Sequence, residues 1–201
     1  ACTYPFKQMC AGGLSYRFAR HLLRAFGIAD EALEKQLLSF AAIATVCDIV
    51  DLLGENRAIV QMGLAEIRKT ENLGLRVLIE EAGLSDKSIS EYHIGFILGP
   101  CINATGRLES GRLAVELFCT QEEKEAREKA KRLVELNAER KQLTEEAAKR
   151  ADITLQESGA LQEKVLVLYD AAIHESIAGI VAGRIKDKYY RPTILITGSE
   201  D

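Results

Sequence analysis

The chain has 201 residues, 47% hydrophobic and 28% charged, with a formal net charge of -4. That is enough for one large domain or two small ones, and the acidic balance excludes a uniformly basic nucleic-acid-binding surface while leaving room for local basic clusters. No apolar run reaches the ~20 residues needed to span a bilayer, and no secretory leader is evident. Five scattered cysteines (Cys2, Cys10, Cys47, Cys101 and Cys119) without a C-x-x-C pair read as reduced thiols of a cytoplasmic protein.

Residues 1–12 read as a loop. Ser15 is placed to cap a helix over 16–26 that Gly27 ends. Asp30 caps a second helix, 31–53, whose apolar run Ala41–Val46 predicts burial. Asn56 caps a third helix over 57–69, and a fourth over 75–82 is closed by Gly83. Ser88 or Ser90 opens a helix that runs through Leu98 and stops at Pro100, which lacks an N–H and clashes with the preceding turn. Residues 99–108 then read as a rigid loop in which Gly106 frees the backbone and presents Arg107 from a tight bend. A short helix follows over 110–118.

Seventeen of the thirty residues 121–150 are charged. Glu125/Lys129, Glu128/Arg132, Glu145/Lys149 and Glu146/Arg150 have the favoured i, i+4 order, each pair worth ~0.3–0.5 kcal/mol. Leu133, Leu136, Leu143 and Ala147 form a thin apolar seam. The pattern predicts a solvated connecting helix about 45–50 Å long. Past Gly159, strand 165–169, helix 174–188 and strand 192–196 spell a βαβ unit with a parallel pair. Gly179 and Gly183 offer a small face for packing on that sheet.

Three constellations could carry chemistry. Asp48 stands in the apolar stretch Ala44–Leu52, where a carboxylate must be paired, bound to a metal or turned to solvent; Asp51 lies three residues on. His174-Glu175-Ser176 opens a helix, where free N–H groups and the positive dipole end favour an anion, although His174 and Glu175 also suit a plain cap. Arg107 suits bidentate phosphate or carboxylate recognition, or a structural pairing with Glu55 or Glu109, with Asn103 bracing the turn. His21 and His93 lack metal-ligand spacing and read as structural. No P-loop, dinucleotide fingerprint or nucleophile elbow is present.

Taken in order, these stretches resemble one family, the RecJ single-stranded-DNA-specific exonucleases of the DHH phosphoesterase superfamily. Ala44–Leu52 with Glu55-Asn56-Arg57 is similar to the family's fourth motif, Gly99–Leu108 to its fifth and His174–Ala182 to its sixth. Pro5-Phe6-Lys7 with Gly12-Gly13 is similar to the segment after the histidines that name the superfamily. The resemblance covers nearly the whole chain. It implies an α/β architecture: the mostly helical C-terminal part of a DHH domain (1–118), a long connecting helix (119–157) and the start of an α/β DHHA1 domain (158–201). It also implies a parent enzyme with two Mn²⁺ or Mg²⁺ ions that removes nucleotides from the 5′ end of single-stranded DNA in repair and recombination. Single-strand-binding or replication proteins would be possible partners.

By the same resemblance Asp48 would be a metal ligand. Asn103 and Arg107 would contact DNA or its phosphate, and His174 would line the substrate groove. The family's Asp-His-His would lie ahead of Ala1 and its last motif beyond Asp201, leaving the piece itself inactive. Cys101 stands where the family usually has Arg, and Ser176 where it often has Gly. The alternatives are a DHH-family phosphodiesterase acting on short RNA or cyclic dinucleotides, and a non-catalytic DHH-like replication scaffold.

Overall fold

The structure is a computed structural model that describes residues 3–198; Cys2 and the chain end at 199–201 lie outside the described residues. It divides into two compact units, Ala1–Asn103 with Arg112–Val134, and Ala104–Gly111 with Glu135–Asp201.

The first unit is helical. Helix α1 (Ala11–Ala25) begins earlier than the Ser15 cap predicts. The Gly13 N–H donates to Cys10 Sγ at 3.4 Å, while the Ser15 hydroxyl donates back to the Ala11 carbonyl at 2.9 Å. The Gly12-Gly13 pair is no breaker, because a Cβ on Gly12 would lie 2.4 Å from that of Ala44. Its bare backbone lets α1 press on α2 (Glu31–Cys47). Asp30 caps α2 as expected, accepting the Leu33 N–H at 2.9 Å. That helix stops at Cys47 rather than at residue 53, because Ile49 takes the left-handed conformation at φ 56.

Helix α3 (Gly54–Ile67) starts ahead of Asn56, which is fully buried in its first turn instead of capping it. Helix α4 (Leu73–Glu81) is capped by Asn72, which accepts the Leu75 N–H and donates to the Phe118 carbonyl, both at 2.9 Å. Gly83 ends the turn beyond it at φ 71.

The largest departure from expectation follows. Pro100 does not end a helix, and residues 99–108 are not a loop. From Ser90 the chain runs through α5 (Glu91–His93), a π-helical segment (Ile94–Leu98) and α6 (Gly99–Leu108) without a break. The Gly99 N–H donates to the Ile94 carbonyl five residues back. This widened turn absorbs the donor that proline lacks and relieves the clash of its ring with the carbonyl four residues earlier. Gly106 therefore sits inside a helix, and Arg107 leaves from its last turn.

Helix α7 (Arg112–Cys119) and the start of α8 (Glu123–Glu157) complete the unit. Its core gathers Leu38, Ile59, Leu64, Leu75, Leu78, Ile94, Leu98, Leu117 and Leu133.

The second unit takes the later part of α8, a 3₁₀ turn (Ala160–Gln162), β1 (Leu166–Tyr169), α9 (Glu175–Tyr189) and β2 (Thr193–Ile196). The strands pair in parallel with Leu166 opposite Thr193 and Tyr169 opposite Ile196, the predicted βαβ unit. Along α8, Leu133, Leu136 and Ala147 are buried, but Leu143 is 43% exposed and Thr144 is buried in its place. The Thr144 hydroxyl is satisfied by donating to the Arg140 carbonyl at 2.7 Å. Glu125–Lys129 and Glu145–Lys149 pair as read, at 3.4 and 2.8 Å, while Arg150 turns to Asp170 at 3.2 Å.

Helix α9 buries Ile177, Val181 and Ile185, four residues apart, together with Leu155, Leu166 and Leu168. The glycine face does not pack on the sheet: a Cβ on Gly179 or Gly183 would meet nothing within 4 Å. Gly179→Ala and Gly183→Ala are therefore each expected to raise stability by about 0.5–1 kcal/mol through helix propensity. Urea unfolding measures this, and a loss of stability would restore the close-packed face.

Candidate functional site

In the first unit the candidate site residue read from the sequence is Asp48. It caps the C-terminus of α2 and is exposed. Its carboxylate makes no hydrogen bond or ion pair among the described residues. A negative charge at a helix C-terminus opposes the macrodipole, so this corner favours an added cation. Ile49, 90% exposed and left-handed, swings the chain out of the helix just after it. A β-branched residue there is strained by about 1–2 kcal/mol. The loop is tied from below by Asn56, whose amide donates to the carbonyls of Asp51 (3.0 Å) and Gln8 (2.8 Å).

The π segment lies directly against this corner. A Cβ on Gly99 would sit 2.4 Å from Cys47 Sγ, and one on Gly95 would sit 3.5 Å from Val46 Cγ1. Burial, with the Asp48 charge adding, pushes the Cys47 thiol up, so it packs as a neutral group. Cys101 is buried in the same core and presents nothing outward. Asn103 is exposed on α6.

In the second unit Arg107 and His174 meet on one residue. His174 caps α9, and its Nδ1 accepts the Ser176 N–H at 3.2 Å and lies 2.7 Å from Ser176 Oγ. With Nδ1 accepting, the ring proton sits on Nε2, a donor on an exposed side chain. The Arg107 guanidinium donates through Nη1 to the Ser176 carbonyl. Ser176 thus fixes the guanidinium through its carbonyl and the imidazole through its N–H and hydroxyl. A glycine there would lose the hydroxyl contact.

Two of the basic residues Arg184, Lys186, Lys188 and Arg191, late in α9 and just after it, serve the fold. Lys188 donates to Asp152 at 2.6 Å, and Arg191 donates to the Glu163 carbonyl at 3.1 Å. The fixed donors at the start of α9 are electrostatically suited to an anion, whereas the exposed Asp48 carboxylate at a helix C-terminus is suited to a cation.

Among the described residues no three His, Cys, Asp or Glu side chains come together as a metal site. The residues present do not by themselves fit an ion centre, and no hydrolytic step follows from them. Sequence reading passed over Ser176 as the shared partner. It also passed over Tyr92 and Phe96, whose i, i+4 spacing just before Gly99-Pro100 was the available signal.

Glu55, in the first turn of α3, does not pair with Arg107. It accepts from Tyr4 at 2.7 and 2.8 Å and from Arg17. Burial pushes its carboxyl up, but the hydrogen bonds from Tyr4 and Arg17 outweigh this and hold it below its ordinary range. A lowered carboxylate stabilises above its unfolded value, ~4.3, and that contribution is lost as pH falls through the folded value. The pair is partly exposed, so the effect should stay under about 1 kcal/mol. Unfolding of Glu55→Gln should match wild type more closely at pH 3 than at pH 7; an equal gap at both would show that Glu55 stabilises without its charge.

No protein-family model matches the chain. Its whole length aligns at 36% identity with the single-stranded-DNA-specific exonuclease RecJ of Bacillus subtilis, covering 24% of that protein. It aligns over its whole length with the Escherichia coli RecJ at 31%, covering 37%. Of the curated relatives it matches, the chain spans between about a quarter and just over a third in these two cases. A crystal structure of exonuclease RecJ bound to manganese superposes with a TM-score of 0.83 at 31% identity, over 97% of this chain and 48% of that one. The Thermus thermophilus RecJ in complex with Mg²⁺ superposes at 0.73 with 31% identity, over 88% of this chain and 27% of that one. Similarity of sequence over the full chain, at the same level as similarity of structure, places this mostly helical chain with its small parallel sheet in the RecJ family.

Proposed function

We propose that the chain is the central part of a metal-dependent 5′→3′ single-stranded-DNA exonuclease acting in DNA repair and recombination in the cytoplasm, and that it is inactive by itself. In this reading, residues 1–118 are the back of a DHH domain, 119–157 the connecting helix and 158–201 the start of DHHA1. Asp48 is one carboxylate of the Mn²⁺ or Mg²⁺ centre, whose other ligands belong to the whole protein. Asn103, Arg107 and His174 contact the DNA strand.

The observation that supports this most is the convergence of Arg107 and His174 on Ser176, in a chain that aligns along its length with single-stranded-DNA-specific exonucleases. A guanidinium and an Nε2–H beside a helix N-terminus can receive the oxygens of a phosphodiester. The exposed, unpaired Asp48 supports the metal role, because a carboxylate opposed to its helix dipole gains from a divalent ion. Paired ions activate water and stabilise the leaving oxygen in such hydrolysis; this chain's own residues bind and orient.

The test is an assay on 5′-phosphorylated single-stranded DNA with Mn²⁺, using this chain beside a longer protein that carries the family's Asp-His-His. Nucleotide release by the longer protein alone is expected. Robust metal-dependent release by the chain alone would refute the division of labour.

A further inference from the structure

The π segment carries a feature that the roles above do not use. Tyr92 and Phe96 are large aromatic residues left 62% and 66% exposed. Their rings are stacked, with centroids 4.9 Å apart and planes 27° apart. The His93 ring meets Tyr92 edge-on at 5.9 Å, and it is itself pinned, its Nδ1 accepting the Ser90 N–H at 3.1 Å. The pair is thus a fixed platform and not two loose side chains.

The backbone beneath it is equally constrained. Phe96 lies between Gly95, which meets Val46, and Gly99, which is pressed on Cys47, and Asp48 follows Cys47 directly. Leaving two stacked rings in water forgoes the burial that such side chains ordinarily gain, and π turns are often retained where a site needs them.

We propose that Tyr92 and Phe96 form a stacking platform for an unpaired base of the DNA strand, seated beside the Asp48 corner. The inference rests on the exonuclease reading and deepens it by naming how the bases are held. Flat, exposed rings match the π-face that every base presents, so the grip is independent of sequence. This suits a protein that must accept any single strand. A duplex keeps its bases stacked on each other and offers none to the platform, so the same pair also discriminates single strands from double strands. Asn103, exposed further along the same continuous helix and within the same unit, adds amide donors for the strand's backbone.

The test compares binding of this chain to a short oligothymidylate and to an abasic strand of equal length, which has the same phosphates and no bases. Wild type should prefer the oligothymidylate. Phe96→Ala should weaken that binding by about five- to a hundredfold and leave the abasic strand unchanged. Phe96→Trp should retain affinity. Since the chain contains no other tryptophan, its fluorescence should be quenched by the oligothymidylate and not by the abasic strand.

If Phe96→Ala binds both strands as wild type does, the platform is a protein contact and this inference fails while the exonuclease reading stands. If the chain binds neither strand, both fail.

Discussion

The contact between Gly99 and Cys47 is the constraint on which the first unit's candidate site depends. Only a residue without a Cβ fits there, and the fit brings the Ile94–Leu98 turn onto the last turn of α2. The same turn absorbs Pro100, which in a regular α-helix interior would cost about 3 kcal/mol. Because the helix survives the proline, Tyr92, Phe96, Asn103 and Arg107 all ride on continuous helix. A single glycine contact therefore settles which face of α5 and the π segment is buried, through Ile94 and Leu98, and which is left to solvent. It also fixes the position of α2's end, where Asp48 projects.

The second unit solves a related problem by hydrogen bonding. Arg107 and His174 are far apart in sequence, and both are anchored on Ser176. An unanchored guanidinium and imidazole would otherwise sample many rotamers, and ordering them on a ligand would cost entropy. Anchoring them beforehand lowers that cost. The burial of Ile177, Val181 and Ile185 against β1 and α8 holds the start of α9 in place, so the apolar stripe and the polar cluster are two ends of one element. Two opposite electrostatic preferences follow from helix ends alone: a carboxylate at the C-terminus of α2 invites a cation, and donors at the N-terminus of α9 invite an anion.

Much of this was legible in the sequence where local chemistry decides. Asp30 caps as its side chain dictates, the charged run forms one long helix, and the βαβ unit is visible from two β-rich runs around a helical one. The failures share a cause. Asn56 reads as a cap and Gly99-Pro100 as a break on local propensity, and tertiary contacts decide both, while the packing expected of Gly179 and Gly183 has no partner surface. Gly12 and Gly99 serve close packing, Asn56 ties a loop from inside the core, and Gly179 with Gly183 face open space. Ile49 shows the converse: nothing local marks a β-branched residue for a left-handed conformation, yet that conformation is what ends α2. For Arg107 the expected tight bend is wrong, since the side chain leaves the last turn of a helix. Its partner, a backbone carbonyl 69 positions away, carries no signature in any side chain.

The proposed phosphate contact at Arg107 is tested most directly by the salt dependence of single-stranded DNA binding, measured for this chain and for Arg107→Ala. Each phosphate contact contributes about 0.7 to the slope of log affinity against log salt for a single strand. The account predicts weaker binding by Arg107→Ala with a slope reduced by about that amount. A slope and affinity identical to wild type would contradict it and leave Arg107 as a strut for the start of α9.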